Sequence, residues 1–103
     1  MKVYISLPIT GRDIERVRVD IDYVASRLRE QGHEPVSPLE INADNLDAPY
    51  AELLGNDIRA LLDCKAIVLL DGWKNSKGCR LEKEAATIYG LELYTFCLTG
   101  LDE

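Results

Sequence analysis

Residues 66–86 read AIVLLDGWKNSKGCRLEKEAA, and the fold turns on how that stretch is parsed. AIVLL is an unbroken apolar run, the pattern of a strand covered on both faces in a parallel sheet. Residues 76–90, SKGCRLEKEAATIYG, have helical period, with Ser76 placed as an N-cap and Gly90 as the stop. What lies between is then a strand-to-helix turn. In an open parallel sheet such turns stand at the carboxyl ends of the strands, where ligands bind.

The rest of the chain supports that parsing. Upstream, KVYISL (residues 2–7) is a short β-rich segment closed by the turn residues of PITGR. Residues 13–31 carry apolar side chains at Ile14, Val17, Ile21, Val24, Ala25 and Leu28, spacings of three and four that predict an amphipathic helix stopped by Gly32. EPVSP predicts a second short strand ended by Pro38, and residues 39–49, LEINADNLDAP, read as a polar loop. Residues 50–64 have helical period through Leu53, Leu54, Ile58, Leu61 and Leu62, weakened but not broken by Gly55 and Asn56. After the quoted stretch, ELYTFCL is a last strand and TGLDE a tail.

The order β-α-β-α-β-α-β implies a parallel sheet with helices on both faces. The expectation is an α/β, flavodoxin-like three-layer sandwich over residues 1–103, with four strands in the order 2-1-3-4. Its ligand crevice would lie between the segments following the first and third strands.

Composition narrows the function classes. The chain has 103 residues, 47% apolar and 29% charged, an ordinary globular balance for one domain. A formal net charge of −6 argues against binding a nucleic acid polymer or an anionic membrane surface. No stretch reaches transmembrane length, and the apolar run at the N-terminus is too short for a signal peptide. Cys64, Cys79 and Cys97 show no paired spacing, so thiols in a reducing cytoplasm are expected rather than disulfides or a zinc site. A chain this small gains burial by oligomerising.

Candidate chemistry gathers around the quoted stretch. Ser76 and Gly78 at a helix start offer backbone N–H groups at a positive helix end, a physical basis for holding an anion; a plain N-cap is the other reading. Helical spacing places Cys79, Glu82 and Ala86 on one face, with Ala85, Ile88 and Tyr89 along the packed side and Glu84 exposed. Glu82 is then either a surface carboxylate or one aimed into the crevice. Asp57 is either a solvated residue or a second carboxylate facing the same cleft. Two converging carboxylates suit glycosidic-bond chemistry. Tyr4 shares a strand face with Ser6 and reaches either the core or the cleft. Trp73 either stacks on a base or wedges its loop onto the core. His33 reads as a turn or surface residue. LPITG lacks the glycine spacing of a dinucleotide or P-loop motif.

Taken in order, VYISLPITG, NDIRALLDCKAIVLLDGWKNSKGCRLEKEAA and the final strand resemble the nucleoside 2-deoxyribosyltransferase-like superfamily. They are most similar to its small DUF4406-like branch, related to 2′-deoxynucleoside 5′-phosphate N-hydrolases. The resemblance implies cleavage or transfer of N-glycosidic bonds in nucleosides or their 5′-monophosphates, without metal or organic cofactor, in a homodimer or larger homo-oligomer. It gives Glu82, in Gly78-Cys79-Arg80-Leu81-Glu82, the nucleophile's role. Asp57 would handle the base and Tyr4 would position Glu82. Ser76 stands where the phosphate hydrolases carry a phosphate-binding serine, which leans the expectation toward nucleotides. Leu7, Pro8 and Ile9 replace those enzymes' polar residues after the first strand, leaving Thr10, Gly11 and Arg12 to serve beside Gly78 and Trp73. The alternative is a non-catalytic nucleotide-binding module of the same fold.

Overall fold

In the computed structural model, residues 1–98 are described, and the TGLDE segment, residues 99–103, lies outside them. The strands are β1 (Lys2–Ser6), β2 (Glu34–Val36), β3 (Ala66–Leu70) and β4 (Glu92–Phe96). The helices are α1 (Ile14–Glu30), α2 (Pro38–Ile41), α3 (Tyr50–Leu61) and α4 (Lys77–Ile88), and one 3-10 turn covers Trp73–Asn75. The sheet is parallel throughout and ordered β2-β1-β3-β4, as the alternation of elements predicts. Tyr4 pairs in register with Ile67, and Ser6 with Leu69.

Strand alternation divides the core into two layers. Val3, Ile5 and Leu7 of β1 and its exit join Ala66, Val68 and Leu70 of β3 beneath Val17, Ile21 and Val24 of α1. On the opposite face Tyr4, Ile67 and Leu69 meet Leu61 of α3 and Ala86 of α4. Every residue of β3 is buried because both its faces are covered. The chain reverses after β3 through Gly72, whose φ of +88° suits glycine. A Cβ there would also stand 3.3 Å from Cγ of Pro8. Gly72→Ala is therefore expected to lower stability by about 1–2 kcal/mol, read from urea melts, with an unchanged midpoint contradicting the turn's role.

Two expectations are corrected. Residues 39–49 are not all loop, because Ser37 caps α2, its Oγ accepting from Glu40 N–H at 3.3 Å, with Pro38 in the first turn. Ile88 and Tyr89 do not pack on the core. They are 67% and 68% exposed, because α4 ends there and β4 is an edge strand whose Leu93 and Tyr94 are exposed too. Among the described residues no helix is long and apolar enough to cross a membrane.

Candidate active site

Ser76 starts α4, its Oγ accepting from Cys79 N–H at 3.2 Å. One helical face, Cys79, Glu82 and Ala86, then turns inward. Glu82 is 5% exposed and lies against the carboxyl end of β1. Two buried hydroxyls grip it there. Tyr4 Oη donates to Oε2 at 2.9 Å, and Ser6 Oγ donates to Oε1 at 2.7 Å. Both carboxylate oxygens are thus fixed by groups two residues apart on one face of a strand, which sets the plane of the carboxyl.

Burial pushes the Glu82 carboxyl up to about 7, the donated bonds from Ser6 and Tyr4 holding it from rising further and the Asp57 charge raising it. Burial also drives the Tyr4 phenol well above its ordinary value, with the Glu82 charge adding to it, so it stays a neutral donor.

Asp57, on α3, lines the same cleft as Glu82. Burial raises its carboxyl to about 6, against the lowering effect of an Asn42 hydrogen bond. Asn42 Nδ2 donates to Asp57 Oδ1 at 2.8 Å and to the Pro38 carbonyl at 3.1 Å, while its Oδ1 accepts from Asn56 Nδ2 at 3.1 Å. The amide has donors and acceptor engaged at once, so Asn42 holds Asp57 in one orientation.

The cleft between β1, α2, α3 and the start of α4 encloses about 270 Å³. Ser76, Gly78, Cys79 and Thr10 line it beside the two carboxyls, and the remaining wall is largely aliphatic. Gly78 leaves room for Tyr50, whose hydroxyl would lie 3.1 Å from an added Cβ. Of the remaining candidates, Gly11 is an exposed turn residue with φ +79° and does not line the cleft. Arg12 is outside it as well, because Asp20 Oδ2 takes its Nη2 at 2.8 Å and the Pro8 carbonyl takes Nη1 at 3.1 Å. Trp73 packs on the Tyr4–Leu61 core layer and faces away from the cleft, on the Lys77 and Arg80 side of α4. Among the described residues no cluster of three His, Cys, Asp or Glu side chains could hold a metal ion.

Sequence reading gave Ser6 no function and missed Asn42. Ser6 was within reach, since it sits two residues from Tyr4. For Asn42 the available signal was Ser37-Pro38 followed by Glu40, a helix start whose far end carries Asn42.

A parallel sheet of order 2-1-3-4 with a crevice at the carboxyl ends of β1 and β3 defines a class, the flavodoxin-like α/β domains. The chain belongs to the family described as Domain of unknown function (DUF4406), whose model matches residues 1–95. Among solved structures it resembles a 2-deoxyribosyltransferase from the psychrotolerant bacterium Bacillus psychrosaccharolyticus, with TM-score 0.74 and 20% identity over 100% of this chain and 77% of that one. It also resembles the CMP N-glycosidase BcmB of Clostridium botulinum, with TM-score 0.64 and 18% identity over 94% of this chain and 69% of that one. No curated protein matches the chain.

Proposed function

We propose that the cleft cleaves or transfers the N-glycosidic bond of (deoxy)nucleosides or their 5′-monophosphates, with Glu82 as nucleophile. The observation that carries this is the two-hydroxyl grip of Tyr4 and Ser6 on a buried carboxylate that shares its cleft with Asp57. The names of the two structural neighbours, a deoxyribosyltransferase and an N-glycosidase, support the same chemistry.

In this reading the ionised Glu82 attacks the anomeric carbon. The C–N bond breaks, its electron pair leaves with the base, and Asp57 donates a proton or hydrogen bond to that base. Water or a second base, giving up a proton to Asp57, then attacks the same carbon and frees Glu82. The first turn of α4, with Ser76 and Gly78, faces the sugar. Arg12, Gly11 and Trp73 take no part in this scheme. A homodimer or higher homo-oligomer is part of the proposal, supported by the exposed Leu81, Ile88, Tyr89, Leu93 and Tyr94. Incubation with the common nucleosides, deoxynucleosides and 5′-monophosphates, followed by chromatography, is expected to show free base from at least one of them. No release from any would contradict the assignment.

Ser6 acts here as a positioning residue. Its hydroxyl stabilises the ionised form of Glu82, so Ser6→Ala is expected to raise the limb of the pH–rate profile that follows Glu82 by about one pH unit. Ser6→Thr, which keeps the hydroxyl, should restore the limb. A limb that stays put in Ser6→Ala would show that the contact does not tune the carboxyl.

A further inference from the structure

We infer that the cleft selects uncharged glycosides and discriminates against their 5′-phosphorylated forms, an inference that rests on the N-glycosidic reading above. The lining decides it. Among the described residues facing the cleft there is no Lys, Arg or His, while two carboxyls, Asp57 and Glu82, stand inside it. Residues 99–103, Thr-Gly-Leu-Asp-Glu, carry no cation in their sequence.

Nearby cations stand outside the cleft. Arg12, beyond the end of β1, is held by Asp20 and the Pro8 carbonyl. Lys77, Arg80 and Lys83 lie on the outer side of α4 around Trp73. Ser76 Oγ accepts from the helix backbone, which leaves its hydroxyl proton as the donor it can offer a ligand.

Much of the rest of the lining is aliphatic, with Leu7, Ile9, Ile14, Leu46, Leu53 and Leu54. A phosphate dianion there would find donors at the start of α4 but no cation, and it would lie against aliphatic surface and beside two carboxyls, so it would regain only part of its lost hydration. Uncharged sugar hydroxyls lose far less, and an apolar substituent gains by covering that surface. At about 270 Å³ the space is also at the small end for ligand sites, suited to a nucleoside rather than a polyphosphate.

The test is isothermal titration calorimetry of the full chain at pH 7 with each common 2′-deoxynucleoside, its 5′-deoxy counterpart and its 5′-monophosphate. At least one nucleoside should bind, its 5′-deoxy form at least as tightly, and its monophosphate at least about tenfold more weakly. Thr10→Arg, at the exposed rim of the cleft, should close that gap by improving monophosphate binding. A monophosphate that binds as tightly as the nucleoside, or no binding by any of the ligands, overturns the inference. Base-release assays on the same ligands separate the two proposals. Release from monophosphates alone defeats the selectivity and leaves the N-glycosidic reading standing. Preferential nucleoside binding with no release defeats that reading and leaves the selectivity standing.

Discussion

Glu82→Gln is expected to lose base release by at least about 10³-fold and yet to unfold at a higher urea concentration than the wild type at pH 8. Both effects follow from one buried carboxyl. Glutamine cannot attack the anomeric carbon, but its amide can still meet the hydroxyls of Tyr4 and Ser6, each of which both donates and accepts. The stability gain comes from linkage. Folding raises the Glu82 carboxyl from 4.5 to about 7. Between those values the folded state holds a proton that the unfolded state has lost, so stability falls as pH rises from 4.5 and levels off above about 7. The ionised side chain therefore costs the fold about 3 kcal/mol at pH 8. Removing the charge should recover about 1–3 kcal/mol of that at pH 8 and nothing below pH 4.5, where Glu82 is protonated in both states. Equal midpoints at pH 8 would mean that Glu82 is not a strained buried acid. Retained turnover in the folded variant would remove it from the chemistry.

Asp57→Asn is expected to lower turnover by about 10²–10⁴-fold and to change the shape of the pH–rate profile. Burial places the two carboxyls near 6 and 7, and the charge on Asp57 raises that of Glu82. The working state holds one proton on the pair, with Glu82 ionised to attack and Asp57 protonated to meet the leaving base. Since Asp57 ionises near 6 and Glu82 near 7, this is the minor arrangement of the singly protonated pair, the major one having the proton on Glu82. Wild-type turnover should therefore trace a bell, falling on the acid side as both carboxyls become protonated and on the alkaline side as both ionise, with its maximum between about 6 and 7. Asparagine offers no acidic proton, so the alkaline limb should vanish. The single limb that remains should follow Glu82 and lie below about 7, since the Asp57 charge that raises it is gone. A variant that keeps the bell would assign the alkaline limb to another group.

Much of this site follows from two periodicities that the sequence displays. The period of 3.6 carries Cys79, Glu82 and Ala86 to one side of α4, and the period of two carries Tyr4 and Ser6 to one side of β1. The alternation of strands and helices then brings β1 beside β3, and so brings those two faces together. The parallel order 2-1-3-4 was legible for the same reason. What escaped depends on packing with no period to announce it. A helix as short as α2 completes barely one turn, so Asn42 shows no amphipathic pattern. Arg12 has a charge suited to a phosphate, but its partner Asp20 becomes visible only once α1 is folded over the exit of β1. Ile88 and Tyr89 sit where helical period predicts a packed side chain, but the sheet beneath them has already reached its edge.

The most direct measurement concerns the bond between Glu82 and the sugar. A nucleoside fluorinated at the sugar 2-position slows discharge of a glycosyl-enzyme, so the ester should persist long enough to be quenched and weighed. Intact-protein mass spectrometry should then show the gain of one fluorosugar. Peptide mapping should place it on the fragment containing Glu82, and the gain should be absent from Glu82→Gln. Base release from the wild type with an unmodified Glu82 peptide, or with the sugar on another residue, would contradict Glu82 as the nucleophile.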